Sequence, residues 1–122
     1  MEKVTGIGGL FFRGQDPTSL SQWYRDHLGI EPSPSEYGQQ SWQQEAGPTV
    51  FAAFPANTKY FGDAGKVWMI NFRVRNLDAM VKQLQAAGIT VQVDSNPYPN
   101  GRFARLQDPE GNPIELWEPA GK

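Results

Sequence analysis

The sequence predicts an α+β fold made of two tandem βαβββ modules. Three observations support this fold class: strand-like and helix-like segments recur in the same order, the recurring segments pair residue by residue, and the size suits one domain. With 122 residues and 39% hydrophobic content, the chain can bury a core without a disulfide or metal staple. We therefore assign residues 1–122 to a single domain, with a first module at about 1–56 and a second at about 66–119.

The first module is predicted to contain a strand, a helix and three further strands. The β-rich segment 3–13, KVTGIGGLFFR, is followed by Asp16, which can cap a helix that accepts Pro17 in its first turn. Apolar residues at helical spacing over 18–28 define this helix, and Gly29 suits a left-handed C-terminal cap. Proline and glycine separate the three strands that follow, at 30–37, 40–47 and 49–55.

The second module repeats this order after a polar loop at 56–66 that carries two aromatic residues. A strand at 67–74 precedes a helix at 76–89, and Asn76 takes the capping position that Asp16 has in the first module. The segment DPEGN at 108–112 is typical of a tight hairpin turn. The remaining predicted strands are 90–95, 101–108 and 112–119.

Equivalent positions of the two modules can be paired directly. The pairs at an offset of sixty are Phe12 with Phe72, Arg13 with Arg73, Asp16 with Asn76, and Leu20 with Met80. Gly29 with Gly88 and Ile30 with Ile89 pair at fifty-nine. An accidental succession of two strand–helix units is the alternative. Because the arginine and the cap residue fall in step, the pattern favours duplication.

Composition excludes several classes of site and partner. The chain has no cysteine, so disulfides, thiolate nucleophiles and cysteine metal sites are excluded. The N-terminal stretch lacks a basic region followed by an apolar core, and no long apolar window is present, so we expect a cytoplasmic protein with no membrane partner. Charged residues are interspersed and sum to −2, which gives no basic face for nucleic acid. A small-molecule ligand is the expected partner.

The phrases DPTSLSQWYRDHLGI, NFRVRNLDAMVKQLQAAGI and LQDPEGNPIELWEP together resemble the vicinal oxygen chelate superfamily, the group of glyoxalases, bleomycin resistance proteins and extradiol dioxygenases. The resemblance covers nearly the whole chain. It implies two modules whose curled mixed sheets face one another around a shared cavity. It also implies a metal held by residues of the first, fifth and eighth strands.

The expected metal ligands of this superfamily are mostly missing. The resemblance places Gly9 and Met69 where histidines stand in the metalloenzymes, and Glu115 where their glutamate stands. The single histidine of the chain is expected on the solvated face of the first helix, so a nitrogen and sulfur site cannot be assembled. We predict no cofactor. A divalent ion held through oxygens of Asn71, Gln107 and Glu115 stays open as the alternative.

Strand periodicity of two selects the residues that face the cavity. Tyr60 and Phe61, in the polar loop, are predicted to form a lid. The ligand-binding residues predicted on the strands are Phe11, Arg13, Met69, Asn71, Arg73, Phe103, Arg105, Gln107 and Trp117, beside Glu115. Three arginines sharing a cavity with one carboxylate leave positive charge unmatched, which favours an anionic ligand. The alternatives are arginines on a sheet rim, one of them paired with Glu115, and aromatic residues that only fill the core.

Three function classes follow. The first is a protein that binds an anionic, partly apolar small molecule without catalysis. The second is a metal-independent lyase or isomerase with Glu115 as general base, and the third is a metal-dependent lyase or dioxygenase. Related folds commonly dimerise, and four tryptophans and seven phenylalanines are many for one small core, so we also expect a homodimer.

Overall fold

A computed structural model describes residues 1–34 and 38–121 of the chain. The elements in chain order are α1 (Pro17–Leu28), β1 (Ile70–Arg73), α2 (Leu77–Ala86), β2 (Gln92–Val93), β3 (Gly101–Gln107) and β4 (Pro113–Pro119). Two helices and a mixed sheet confirm the predicted α+β class. Neither helix of the described ranges has the length and apolar character needed to cross a bilayer.

The four strands form one mixed sheet in the order β1-β4-β3-β2. β1 runs parallel to β4, whereas the β4–β3 and β3–β2 pairs are antiparallel. The predicted turn DPEGN joins β3 to β4, and Asp108 holds it by accepting from the backbone N–H groups of Glu110 and Asn112 at 2.9 and 3.0 Å. β4 is therefore central, and β1 lies at one edge of the sheet.

Both helices begin at the residues that the sequence predicts as caps. The carboxylate of Asp16 accepts from the backbone N–H of Ser19 at 3.1 Å, and the side chain of Asn76 accepts from that of Ala79 at 3.0 Å. Each bond satisfies one of the N–H groups that a helix leaves unpaired in its first turn. α1 ends at Gly29, whose φ of 71° is left-handed and therefore favours glycine.

The core lies between the two helices and one face of the sheet. Its four fully buried large side chains are Leu77, Leu84, Ile114 and Leu116. α1 contributes Leu20 and Tyr24 to the same core, so the helix of the first module packs with the sheet of the second. Burial of such aliphatic side chains contributes about 1.5–3 kcal/mol each, which makes this cluster the main source of stability.

Two acidic residues of the DPEGN turn fasten α1 to the sheet. The hydroxyl of Tyr24 donates to Asp108 at 2.6 Å in a buried pair, and burial together with this carboxylate raises the pKa of Tyr24. Glu110 accepts from the backbone N–H groups of Gln15 and Asp16 at 2.7 and 3.1 Å, directly before α1. The turn therefore joins residues from opposite ends of the chain.

The strands predicted in the first module are not formed. The described residues of segments 3–13, 30–34, 40–47 and 49–55 contain no strand, and the rest of the prediction at 30–37 lies outside the described residues. A strand exists only when a second backbone accepts and donates its ladder of hydrogen bonds, and no described segment of this chain forms such a ladder with these stretches. The sheet found among the described residues is therefore that of the second module, and the strands predicted for the first module are not found there. Apolar side chains in these segments are exposed, with Phe11 94% and Phe51 91% accessible.

Candidate functional site

The sheet register assembles six side chains in two rows on one face of β1, β4 and β3. Alternate residues of a strand share a face, and register partners lie side by side on strands about 4.8 Å apart. The first row is Asn71, Glu115 and Arg105, and the second row is Arg73, Trp117 and Phe103. We call these six residues the central face. All six belong to the set that the sequence predicts.

Glu115 lies in the middle of the first row with both carboxylate oxygens hydrogen-bonded. The side-chain amide of Asn71 donates to Oε1 at 2.8 Å, and the hydroxyl of Tyr60 donates to Oε2. Only 8% of Glu115 is accessible to solvent. A buried carboxylate needs such donors because its charge has lost the hydration of water. Both carboxylate oxygens of Glu115 are therefore fixed in place as hydrogen-bond acceptors.

Tyr60 reaches the central face from the loop before β1. Its ring stacks on Phe54 with centroids 6.0 Å apart, and the hydroxyl of Thr58 accepts from its backbone N–H at 3.2 Å. Burial is the largest cause, and the hydrogen bond to Glu115 the second largest, of a rise in the pKa of Tyr60 to about 12. Near neutral pH the phenol is therefore protonated and acts as the donor of its bond to Glu115.

Arg105 completes the first row and contacts Tyr60 rather than a carboxylate. Its guanidinium carbon lies 4.3 Å from the centroid of the Tyr60 ring, which is cation–π geometry. One of its N–H groups also donates to the backbone carbonyl of Tyr60. The positive charge of Arg105 and the hydrogen bond that Tyr60 donates to Glu115 thus both hold Tyr60 over the sheet.

The second row carries an aromatic pair. The rings of Phe103 and Trp117 are nearly parallel, at 4°, with centroids 6.3 Å apart. The indole N–H of Trp117 donates to the carbonyl of Asn100 at 2.8 Å, which fixes the ring orientation. This pair gives the central face a flat apolar area beside its polar row.

Arg73 occupies the end of the second row and bonds to the first module. Its guanidinium donates to the backbone carbonyl of Glu45 at 3.0 Å, and Gly47 leaves room for it because a side chain there would overlap the guanidinium. The neighbouring Arg75 forms an ion pair with the Glu45 carboxylate, with 2.7 Å between Nη2 and Oε2. Arg73 therefore has a neutral partner while the adjacent arginine has the charged one.

The six arginines of the chain divide into two groups. Those that form ion pairs are Arg25 with Glu31, Arg75 with Glu45, and Arg102 with Asp78. Among the residues that the structure describes, no carboxylate lies within 4.0 Å of the guanidinium of Arg13, Arg73 or Arg105. These are the three arginines that the sequence predicts for the cavity. Two of them are half-buried on the central face, and Arg13 is exposed.

Several predicted site residues lie away from the central face. Phe11 and Arg13 are exposed in the segment before α1, so the structure does not bring Arg13 to Arg73 and Arg105. Gln107 is exposed at the end of β3, and Met69 is half-buried just before β1. Phe61 packs against Phe54, with centroids 5.1 Å apart, beside Tyr60 rather than on the sheet.

The residues present do not fit the metal that the superfamily resemblance implies. Gly9 and Met69 bring no oxygen or nitrogen side chain, and both oxygens of Glu115 already accept hydrogen bonds. Within residues 1–34 and 38–121 there is no group of three histidine or acidic side chains that could hold an ion. The one histidine, His27, lies on α1 against Trp23, with centroids 5.5 Å apart.

Two contacts of the site have no signal in the sequence. Phe54 supports the Tyr60 ring, although it is not among the predicted site residues. Glu45 supplies the partners of both Arg73 and Arg75 from a segment predicted as a strand. Neither contact follows from strand parity, because Phe54 and Glu45 both lie outside the strands of the sheet.

Comparison with known proteins agrees with this architecture. Residues 6–116 match the family described as the Glyoxalase/Bleomycin resistance protein/Dioxygenase superfamily. No curated protein matches the chain by sequence.

Solved structures share the fold over nearly the full length. TnmS3, an antibiotic binding protein from Streptomyces sp. CB03234, is 20% identical, with a TM-score of 0.66 over 98% of this chain and 100% of that one. Lactoylglutathione lyase from Agrobacterium tumefaciens is 21% identical, with a TM-score of 0.63 over 96% of both chains. Because the family match spans most of the chain, this protein belongs to the Glyoxalase/Bleomycin resistance protein/Dioxygenase superfamily.

Proposed function

We propose that the protein binds an anionic, partly apolar small molecule on the central face. The observation that carries this proposal is that two arginines of the central face lack a carboxylate partner among the described residues. Arg73 and Arg105 lie on the same sheet face, and in the described chain neither has a carboxylate partner at ion-pair distance. A half-buried guanidinium gains most from an anion, because charge-assisted hydrogen bonds are about twice as strong as neutral ones.

The apolar part of the ligand is assigned to the aromatic pair. Phe103 and Trp117 offer parallel rings between the two arginines, and their fixed orientation suits stacking against a flat group. Asn71 and Tyr60 add polar groups at the border of this area. The proposed ligand therefore carries an aromatic or conjugated body and a carboxylate or phosphate group.

The superfamily membership and one structural neighbour support a binding role. TnmS3 is an antibiotic binding protein, and this chain shares its fold across nearly its whole length. Because the fold is shared, a cavity for a small organic molecule is expected in this protein too. The arginines and the aromatic pair alone indicate the chemistry of the ligand.

The test is a titration with matched acids and amides. Aromatic carboxylates and their uncharged carboxamides are added to the purified protein, and binding is measured by calorimetry and by tryptophan fluorescence. We expect the carboxylates to bind more tightly. Arg73→Ala should weaken carboxylate binding by about 1.5–3 kcal/mol, which corresponds to a loss of roughly tenfold to a hundredfold, and should leave carboxamide binding unchanged.

Arg75→Ala is the matched control. Arg75 is two residues from Arg73 and equally positive, but it is exposed and already paired with Glu45. Its removal should change carboxylate binding by less than twofold. Equal binding of acids and amides, or equal losses in both variants, would contradict the proposal.

A second function is favoured by the bond between Tyr60 and Glu115. A buried carboxylate beside a protonated phenol is a base and an acid in contact, as a metal-independent lyase or isomerase requires. Such chemistry exchanges an acidic C–H of a bound ligand with deuterated water. NMR detects this exchange. This function predicts that Glu115→Gln abolishes exchange while the ligand still binds. No exchange in the parent protein would leave binding alone as the function.

A further inference from the structure

The central face continues beyond β3 onto the edge strand β2. Register partners of an antiparallel pair point to the same face, and Gln92 of β2 lies opposite Arg105. The ladder extends one residue past β2, because the backbone N–H of Asp94 donates to the carbonyl of Phe103 at 3.0 Å. Alternation along the strand then puts Asp94 on the same face as Gln92, beside Phe103. Asp94 therefore stands at the end of the second row.

Side-chain contacts agree with this placement of Asp94. The hydroxyl of Tyr98 donates to Oδ2 of Asp94 at 2.8 Å, and the Tyr98 ring meets Phe103 edge to face, with centroids 5.8 Å apart. Tyr60, which reaches the same face, gives an independent indication. Burial is the largest cause of its raised pKa, and the negative charge of Asp94 is a smaller one. Asp94 and Tyr98 therefore lie together at the β2 end of the central face.

The Asp94 carboxylate is ionised at neutral pH and has no cationic partner in the described chain. The hydrogen bonds from the backbone N–H of Asn96, at 3.0 Å, and from the Tyr98 hydroxyl lower the pKa of Asp94. They leave part of the carboxylate free, since it has roughly four acceptor positions. Among the residues that the structure describes, no arginine, lysine or histidine nitrogen lies within 4.0 Å of it. Asp94 is half-buried and Tyr98 is 42% accessible, so a ligand can reach the remaining positions.

Charges of opposite sign thus stand at the two ends of the second row. Its order across the sheet is Arg73 on β1, Trp117 on β4, Phe103 on β3 and Asp94 beside β2. Strands about 4.8 Å apart make this row about 14 Å long. A flat ligand that lies on the aromatic pair with its acid at Arg73 directs its far end to Asp94 and Tyr98. A carboxylate beside an aromatic ring attracts an ammonium group, through an ion pair and a cation–π contact.

We propose that Asp94 and Tyr98 form a subsite for a cationic amine, and that the ligand of the central face is a zwitterion. Its acid lies toward Arg73, its aromatic body lies on Phe103 and Trp117, and its ammonium group donates to the Asp94 carboxylate. The acid and the aromatic body rest on the proposed function, whereas the amine rests on Asp94 and its surroundings. The ligand class is therefore narrowed from aromatic acids to aromatic acids that carry a distal amine.

Two matched compounds test the subsite in the parent protein. One is a biphenyl carboxylate with an aminomethyl group at its far end, and the other carries a hydroxymethyl group of similar size there. By calorimetry, we expect the amine to bind about tenfold more tightly, since only the amine forms a charge-assisted bond to Asp94. Asp94→Asn should reduce this preference to about twofold or less, while the alcohol keeps its affinity. Equal binding of the two compounds to the parent overturns the proposal, and so does a preference that survives in Asp94→Asn.

Asp78→Asn is the matched control. It removes the same charge from a residue that is exposed in the first turn of α2 and already paired with Arg102, at 2.8 Å. The preference for the amine should be unchanged in this variant. Loss of the preference in both variants would assign it to the net charge of the protein and would overturn the subsite.

A second pair of compounds separates this proposal from the proposed function. Biphenylmethylamine and biphenylmethanol lack the carboxylate, so their relative affinity does not depend on an acid bound at Arg73. We expect the amine to bind more tightly, and Asp94→Asn to abolish the difference. If aromatic carboxylates and carboxamides bind equally, the proposed function fails, and this pair still reports on Asp94. No difference between biphenylmethylamine and biphenylmethanol overturns the subsite, even where carboxylates are preferred.

Discussion

The two halves of the chain carry similar local signals and reach different structures. Residues 67–121 form a sheet with a buried core, whereas the described residues before 67 form one helix and no strand. Both helices have a polar cap and apolar residues at helical spacing. Hydrogen bonds within a helix are local, so each half can form its own. A strand needs a second strand, and only the second half contains enough of them in contact.

The largest expected effect concerns the core of the second half. Leu116→Ala removes a fully buried side chain from β4, and we expect the free energy of unfolding to fall by about 2–5 kcal/mol. Urea unfolding followed by circular dichroism measures this loss. Val50→Ala, at an exposed position of the first half, is the comparison. Its effect should stay within about 0.5 kcal/mol, because Val50 is 67% accessible to solvent in the folded chain. A similar loss for both variants would contradict the division between the halves.

The next effect concerns the link between the halves. Tyr24→Phe deletes the hydroxyl that donates to Asp108, and we expect a loss of about 1–3 kcal/mol because a buried carboxylate loses one donor. Thermal and urea unfolding are the measurements. Tyr98→Phe deletes a comparable bond, to Asp94 at 2.8 Å, but at an exposed site, and its effect should be clearly smaller. Equal effects would mean that the buried pair does not hold α1 on the sheet.

Substitutions at the two N-terminal caps compare the stability of the two helices directly. Asn76→Ala should cost about 0.5–2 kcal/mol, since the first turn of α2 loses one acceptor. Asp16→Ala should show a comparable loss at neutral pH if α1 is as firmly docked as α2. The hydrogen bonds to Ser19 lower the pKa of Asp16 below 3.8, so this cap stabilises above that ordinary value and is lost as the pH falls through the lowered one. In urea unfolding between pH 2 and 7, the cost of Asp16→Ala should shrink as the pH falls, whereas the cost of Asn76→Ala should stay constant.

The smallest expected change is spectroscopic. The phenol of Tyr60 should ionise with a pKa of about 12, measured as the difference in ultraviolet absorbance between the parent and Tyr60→Phe. Its raised pKa contributes stability that is complete below pH 10 and is lost as the pH rises through 12. Glu115→Gln should lower this pKa towards 10 without reaching it, because burial is the larger cause. An unchanged pKa in Glu115→Gln would show that the bond to Glu115 is absent in solution.

The sequence predicts the elements whose signals are local. The caps at Asp16 and Asn76, the turn at 108–112 and the strand parity of β3 and β4 are all found where the pattern places them. Parity also predicts that Glu115 shares a face with Asn71 and Arg105. This prediction depends only on the alternation of side chains along a strand.

The remaining features depend on contacts that no local pattern encodes. Parity places Arg73 on the central face, but its long side chain reaches the Glu45 carbonyl, which spacing cannot indicate. The bond from Tyr60 to Glu115 joins a loop to a strand fifty-five residues away. The strands of the first module have suitable residues, yet whether they pair depends on which backbone lies beside them.

The hydrogen bonds that Glu110 accepts from Gln15 and Asp16 bear on the order in which this chain folds. They join positions 95 and 94 residues apart, so forming them closes a loop that contains most of the molecule. Closing a long loop costs entropy before the contact returns any energy, and contacts of high sequence separation slow folding. α2 and the hairpin of β3 and β4 form over much shorter separations. We therefore expect docking of α1 to be a late step of folding, so that substitutions at Glu110 should change the folding rate less than the unfolding rate.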